Sequence, residues 1–524
     1  MDISGKTIAI IGGGVSGMVQ AKWLLHYKLG CRILLFESRS DFGGVWDISG
    51  PNGVMDCTVC NVSKYLMELT DLPWPDGTID FPHHSHVLKY IKTYARKFIV
   101  NSSVECYFDS QVVSVKRVEN KFTIEIVNLK SQSEKNTFTA DHVVIANGHS
   151  DVPNYPISGV NNLDFVTHSV NYKNCSQLEL TRKKVLVVGL SFSAVDIAVD
   201  LTKFGGNEVS VLTRKGSWFG PKRDLNSNAP SDLKLPRLFT YLPHKVLNKL
   251  IKIAFNWKYF NQNNWQISNK CDPAGGNMVS SDEFVDLVRT EKISVIHGSL
   301  TEVNNGNSVS IATNEGNKLK LTFDHVIFCT GYKPRFEFLS DGLQAGEGQY
   351  PDLYMNMVPL NTPLLMSYIG LFNSRFTSPF QVIDLQAQYI VALLTGKVKL
   401  PDQNQMKMSV SKEKNDLATN CKAFRASLFL PIDYRDKLAH IMGKTPKFLD
   451  LVLSPKLMIG YYFGPITWAG YNLSDSRLGG VAKDSLNRTC DRAFGKNWFL
   501  KLNCILFGGI FSITGAIFLP QHYL

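Results

Sequence analysis

A short apolar strand followed at once by a glycine-spaced turn occurs twice in this 524-residue chain. The first copy is Thr7 to Ile11 (TIAII), running into Gly12-Gly13-Gly14-Val15-Ser16-Gly17. The second is Lys184 to Val188 (KVLVV), running into Gly189-Leu190-Ser191-Phe192-Ser193-Ala194. Such a run calls for a parallel strand, a tight turn and a helix whose N-terminal N–H groups face a pyrophosphate. One copy binds one dinucleotide. Two copies imply an α/β chain with two Rossmann-like domains, built to pass electrons between two cofactors.

The first copy meets each requirement. Gly12 allows the turn, Gly14 lets the backbone approach the pyrophosphate, and Gly17 lets the helix pack on the strand; Gly13 lies between them. A second strand, Arg32 to Phe36, ends at Glu37, twenty residues past Gly17. A carboxylate there can accept hydrogen bonds from a ribose. In the second copy Ser191 and Ala194 replace two glycines, and Ser193 keeps the turn small. The next strand, Glu208 to Leu212, is followed by Thr213-Arg214-Lys215. Arg214 can fork onto a 2′-phosphate, which favours NADPH over NADH. Its other reading is a solvated charge at a strand end.

Glu37 is followed by Ser38-Arg39-Ser40-Asp41-Phe42-Gly43-Gly44-Val45-Trp46. This string resembles the FAD-binding continuation of the two-dinucleotide-binding flavoproteins, which places Gly44, Val45 and Trp46 beside FAD. With Cys60-Asn61-Val62-Ser63-Lys64, Asp71-Leu72-Pro73-Trp74-Pro75, Ala146-Asn147-Gly148 and Phe328-Cys329-Thr330-Gly331-Tyr332, the chain resembles the flavin-containing monooxygenases of the class B flavoprotein group. Tyr462-Phe463-Gly464-Pro465 and Asp491-Arg492-Ala493-Phe494 are similar to the animal-type members. One departure is plain. The family's identifying segment keeps His168 and Tyr172, but Asn162 and Asp164 stand where Phe and Gly are expected.

The resemblance implies FAD and NADPH as cofactors and molecular oxygen as co-substrate. In the family NADPH reduces the flavin by hydride transfer, oxygen adds to give a C4a-hydroperoxide, and a soft nitrogen or sulfur of a small molecule attacks it. NADP⁺ stays bound to shield the intermediate. By resemblance Asn61 is nearest this chemistry and touches cofactor; a turn or capping Asn is its other reading. Thr330 and Gly331 belong to the cofactor-binding set. Gln386 resembles a position near the flavin and reads also as a helix-surface Gln. A Baeyer–Villiger monooxygenase, attacking carbonyls, is the neighbouring activity.

Composition fits a large enzyme body: 44% hydrophobic over this length can bury more than one core. The net charge of +11 is scattered, which argues against a nucleic-acid partner and suits NADPH phosphates or anionic lipid. The ten cysteines show no metal-ligand spacing, so no metal site is expected. Cys57-Thr58-Val59-Cys60 is a lone C-x-x-C. It suggests an FAD/NADPH disulfide reductase as a rival. A non-catalytic nucleotide-binding membrane protein is a third class, opposed by the intact glycines and Glu37.

The expected order is a first FAD-binding part over 1–150, an NADPH domain over 151–325 with an insertion at about 216–278, and a second FAD part over 326–445. A C-terminal wrap over 446–497 and a hydrophobic tail over 498–524 follow. Leu502 to Leu519 is an uncharged 18-residue stretch preceded by Arg488, Arg492, Lys496 and Lys501. It reads as a membrane anchor or as a buried terminal helix. No secretory signal opens the chain. The anchor reading places the body on the cytosolic side of the endoplasmic reticulum membrane; without it the enzyme is cytoplasmic. A homo-oligomer is left open.

Overall fold

The structure is a computed structural model that describes residues 3–50, 52–131, 135–224, 227–258, 278–340, 342–344, 349–372, 378–420 and 433–499. β1 (Thr7–Ile11), α1 (Val15–His26) and β2 (Arg32–Phe36) form the first strand-helix-strand unit. α2 (Lys64–Met67) and α3 (His84–Phe98) precede β3 (Val104–Tyr107), which pairs outside β2. An antiparallel sheet of β4 (Ser110–Val118), β5 (Lys121–Asn128) and β6 (Lys135–Ala140) intervenes before β7 (His142–Ile145) returns beside β1. Ile8 and Ile10 face the core shared with α1, while Ala9 and Ile11 face the core shared with the antiparallel sheet. A parallel strand covered on both faces is apolar at every position, which is why TIAII does not alternate.

The chain then leaves through β8 (Val152–Pro153). The second domain holds β9 (Val166–His168), β10 (Lys184–Val188), α4 (Phe192–Phe204) and β11 (Glu208–Thr213). β12 (Trp218–Gly220) opens an excursion that carries α5 (His244–Lys258), and β13 (Met278–Ser280) closes it by pairing with β12. Leu247 and Ile251 of α5 are buried, whereas Val246, Leu250 and Ile253 are exposed. α6 (Asp282–Arg289), β14 (Ile293–Asn304), β15 (Ser308–Thr313), β16 (Lys318–Thr322) and β17 (His325–Phe328) complete the domain. Its sheet order is β16-β15-β14-β11-β10-β17-β9.

β18 (Tyr332–Lys333) brings the chain back, pairing antiparallel with β8 through Tyr332↔Pro153 and Lys333↔Val152. After the hairpin β19 (Leu353–Tyr354) and β20 (Val358–Pro359), β21 (Met366–Tyr368) joins β7. The first sheet is thus β21-β7-β1-β2-β3, completed from both sides of the second domain. α7 (Pro379–Leu394) packs on α1; Ser378 caps it and Pro379 sits at its first turn. α8 (Gln403–Asn420), α9 (Tyr434–Ile441), α10 (Phe448–Val452), α11 (Pro455–Phe463) and α12 (Gly479–Phe494) wrap the outside.

Trp498 corrects the expected start of the tail. It is buried among Leu451, Ile459, Tyr461 and Leu486, with Gly460 directly against its ring. A segment able to leave the body therefore begins after Phe499. Leu502 to Leu519 lies outside the described residues. Among the described residues no helix is long and apolar enough to cross a membrane. The anchor reading expects deletion of residues 500–524 to move the protein from the membrane to the soluble fraction with FAD retained, checked by sedimentation and flavin absorbance. Deletion from Trp498 also removes a core indole and is expected to destabilise by about 3–5 kcal/mol.

Candidate functional site

Backbone geometry explains the first fingerprint. Gly12 has φ +109°, and a Cβ there would lie 2.5 Å from the Ala146 carbonyl oxygen at the end of β7. A Cβ on Gly17 would lie 1.9 Å from the carbonyl oxygen of Gly12. Gly44 has φ +55°, and its Cβ would lie 3.0 Å from the Gly14 Cα. The Gly44–Trp46 turn therefore lies directly against the fingerprint. The Gly13 N–H donates to Glu37 Oε2 at 2.6 Å, and the Arg39 N–H donates to Oε1 at 2.8 Å. Glu37 is buried at the fingerprint's edge. Arg39, which the sequence did not single out, donates to the carbonyls of Gly44 (2.7 Å) and Asp47 (2.8 Å) and so fastens that turn. Val45 is exposed, and Trp46 meets Phe380 of α7 edge-on.

Gln386 is fully buried, which overturns the helix-surface reading. Its Oε1 accepts from the Gly370 N–H at 3.0 Å, and its Nε2 donates to the Tyr434 hydroxyl at 3.0 Å. Gly370 has φ +77° and is packed on Ser16, inside the fingerprint. A side chain sixteen residues from Gly370 thus holds the backbone that abuts the first nucleotide turn.

The second fingerprint repeats the arrangement. Gly189 has φ +121°, and a Cβ there would lie 2.6 Å from the Cys329 carbonyl oxygen. Ser191 is the extended residue that precedes α4; Ser193 is half-buried and Ala194 fully buried. Arg214 is exposed one residue beyond β11, and its carbonyl accepts from Asn314 Nδ2 at 3.0 Å. The backbone is pinned while the guanidinium faces outward. Arg214→Ala is expected to raise KM for NADPH by roughly tenfold, about the loss of one charged hydrogen bond, with little change for NADH. Steady-state kinetics with both nucleotides checks this.

Thr330 and Gly331 sit at the crossover between the domains. The Thr330 hydroxyl donates to the Asn154 carbonyl at 2.5 Å, and Gly331 O accepts from the Asn154 N–H at 3.0 Å. His168 Nε2 also meets Gly331 O at 3.0 Å, while its ring lies edge-on to Tyr155 and Tyr332. The Tyr172 hydroxyl donates to Asp200 Oδ2 of α4 at 2.5 Å. The two kept residues of the identifying segment are buried in these contacts, whereas Asn162 and Asp164 are exposed. The departures fall where packing demands least.

Asn61 lies on the stretch between the first fingerprint and α3. The Cys60 N–H donates to Pro82 O at 2.9 Å, and the Lys64 N–H donates to Asp80 O at 2.7 Å. Ser63, not Asn61, stands at the cap of α2. Asn61 Oδ1 is buried with no hydrogen-bond partner among the described residues. An orphaned buried acceptor costs about 1–3 kcal/mol. Such an atom suits a donor supplied by a bound group.

The neighbouring thiols do not suit disulfide exchange. Burial, then Asp200 and Asp196, pushes Cys57 up to about 12, and burial pushes Cys60 up to about 12. Exchange needs the thiolate. Asp196 of α4 and Lys222 also stand near this stretch. Burial raises Asp196 to about 6 against the pull of Lys222, and burial lowers Lys222. Nothing in the sequence marked either residue, because each lies in an otherwise ordinary helix or loop.

The model of the flavin-binding monooxygenase-like family matches residues 5–496. The chain belongs to that family. It is 29% identical over 494 residues to rabbit (Oryctolagus cuniculus) dimethylaniline monooxygenase [N-oxide-forming] 2, covering 89% of this chain and 88% of the relative. It is 28% identical over 491 residues to human (Homo sapiens) flavin-containing monooxygenase 2, with the same coverage. The fold matches that of S-allyl-L-cysteine S-oxygenase from Allium sativum at TM-score 0.60 and 21% identity, covering 93% of this chain and all of the other. Cyclohexanone monooxygenase from Rhodococcus, solved with NADP⁺, matches at TM-score 0.57 and 15% identity, covering 84% and 98%. This flavin-containing monooxygenase uses FAD and NADPH. The two glycine cradles and the orphaned Asn61 oxygen are consistent with both groups.

Proposed function

We propose that the monooxygenase transfers one oxygen atom to a soft nitrogen or sulfur of small molecules. FAD and NADPH, when bound, supply the redox and oxygen-activating chemistry. Gly12, Gly13, Gly14 and Gly17 cradle the first nucleotide, with Glu37 accepting from its ribose. Arg39 holds the Gly44–Trp46 turn against it, and Gln386 supports the same region through Gly370. Gly189, Ser191, Ser193 and Ala194 receive the second nucleotide, and Arg214 selects its 2′-phosphate. Thr330 and Gly331 hold the crossover between the two.

The buried, unpartnered Oδ1 of Asn61 carries the assignment of the reacting site. An amide accepts and donates at once, so Asn61 can accept from a bound donor and offer its own N–H to the oxygen being transferred. It neither takes nor loses a proton near neutral pH. That suits transfer to a lone pair, where the substrate gives up no proton. The curated relatives named as N-oxide-forming, and the garlic protein named as an S-oxygenase, support the substrate class. Residues 500–524 anchor the enzyme to the endoplasmic reticulum membrane, with the body in the cytosol.

The test offers the FAD-loaded enzyme a tertiary amine, a thioether and a cyclic ketone, with NADPH and oxygen. An N-oxide or sulfoxide is expected by mass spectrometry. A lactone from the ketone, with neither of the other products, would replace this reading with the Baeyer–Villiger one.

A further inference from the structure

The stretch that carries Asn61 is gripped from the other domain. Asp232 lies between β12 and β13, in the short turn Ser231–Lys234. Its Oδ2 accepts the Ser63 backbone N–H at 2.6 Å, across 169 residues of sequence. Ser63 is two residues beyond Asn61. The same arm is held at other points, among them Arg237 on Asp436 and the Pro236–Pro465 bridge, and two contacts lie near Asp232. Arg223 donates to Asp80 Oδ2 at 2.6 Å, a carboxylate that Arg492 of α12 also binds at 2.6 Å. Lys234 Nζ donates to Ala493 O at 2.5 Å. These contacts fasten the arm, and of the three side chains Arg223, Asp232 and Lys234 it is Asp232 that reaches the backbone beside Asn61.

The junction holds more than a tether needs. Among the described residues Asp232 Oδ1, Ser231 Oγ, Ser63 Oγ and Asn61 Oδ1 are all buried without a partner at hydrogen-bond geometry. A dry carboxylate supported only by the Ser63 N–H and hydroxyl and its own backbone, with no cation paired to it among the described residues, is a costly way to stabilise a fold. A charged acceptor on a backbone N–H is, however, strong and directional. Burial raises Asp232 to about 6, which leaves it mainly a carboxylate at neutral pH.

We propose that Asp232 is a positioning residue for oxygen transfer, setting Asn61 through the Ser63 N–H so that Asn61 is in place only when the nucleotide-domain insertion is docked. This rests on the reading of Asn61 given above. Asp232 touches no reacting atom in this role. It converts the docking of one domain into the placement of an amide on the other.

Four variants test it in the FAD-loaded enzyme: Asp232→Ala, Asp232→Asn, Asn61→Ala and the double variant Asp232→Ala/Asn61→Ala. The readouts are oxygenated thioether per NADPH, hydrogen peroxide per NADPH and FAD content. Asp232→Ala is expected to lower product per NADPH by roughly fivefold, the order of one ordinary hydrogen bond since the effect is indirect, and to raise peroxide, with FAD retained. Asp232→Asn still offers an oxygen to the Ser63 N–H and is expected to stay close to wild type. The double variant is expected to lose no more than Asn61→Ala alone, since both act through one amide. Should Asp232→Ala fail to fold, Ser63→Pro removes the donor instead; the φ of −69° at Ser63 accepts proline, and the same fall in yield is expected. Unchanged yield in Asp232→Ala, equal losses in Asp232→Asn, or additive losses in the double variant would each overturn the proposal while leaving Asn61 in its role. Unchanged yield in Asn61→Ala would instead overturn the reading of Asn61.

Discussion

Asn61→Asp is expected to cut oxygenated product per NADPH by at least about tenfold, or about 1.4 kcal/mol. The exchange is nearly isosteric, so packing and FAD content should hold. What changes is the sign of the atom. An amide donor becomes an acceptor that is usually charged at neutral pH. Its Oδ1 is buried, and two residues on, the Ser63 N–H is already held by the Asp232 carboxylate. A carboxylate at position 61 repels negative charge on the oxygen being transferred. NADPH should still be consumed, with a larger share of electrons leaving as hydrogen peroxide. Product and peroxide per NADPH, measured beside wild type, decide it. An unchanged yield would take Asn61 out of the site.

Gly17→Ala is expected to abolish FAD retention, with a stability loss of about 3 kcal/mol or more, at the upper end for overpacking. The added methyl would stand 1.9 Å from the carbonyl oxygen of Gly12, and backbone cannot step aside as a side chain can. Relief requires α1 to retreat from β1, which pulls its N–H groups away from the pyrophosphate. Ala194 is the useful contrast. It fills the equivalent place in the second fingerprint with its methyl fully buried, so that helix is already set for a Cβ. Flavin-to-protein ratio and thermal unfolding check the expectation; full FAD at the wild-type Tm would contradict it.

The parts of this protein legible in its sequence are those whose physics is local. TIAII, RILLF, KVLVV and EVSVL each become the parallel strands their composition demands, and the glycines sit where φ is positive or a Cβ would strike backbone. The antiparallel sheet of β4 to β6 and the hairpins that widen the second sheet were not foreseen. Their alternation is ordinary, and nothing in a lone strand names its neighbour. Gln386 shows the same limit at the site. Its polarity on a helix suggested solvent, yet α7 is buried along nearly its whole length and the amide is spent on Gly370 and Tyr434. Asp232 and Arg39 were invisible for a related reason: each acts on backbone atoms remote from it or on carbonyls that any sequence possesses. The start of the tail at residue 498 was set by the apolar run that follows, whereas the Trp498 indole is held by α11 and α12.

The two crossing strands β8 and β18 have a consequence for modularity. The chain enters and leaves the second domain through segments that are hydrogen-bonded neighbours, with the Asn154 N–H on Gly331 O at 3.0 Å. A unit whose ends already touch can be cut out and its host rejoined by a short turn, without stretching either part. The second domain is therefore expected to be excisable at 153 and 332, where its ends are hydrogen-bonded neighbours. What would not travel with it is the fitted grip of its insertion on the other half, the Asp232 contact with the Ser63 N–H included, so on the proposal above a transplanted domain would leave Asn61 unset.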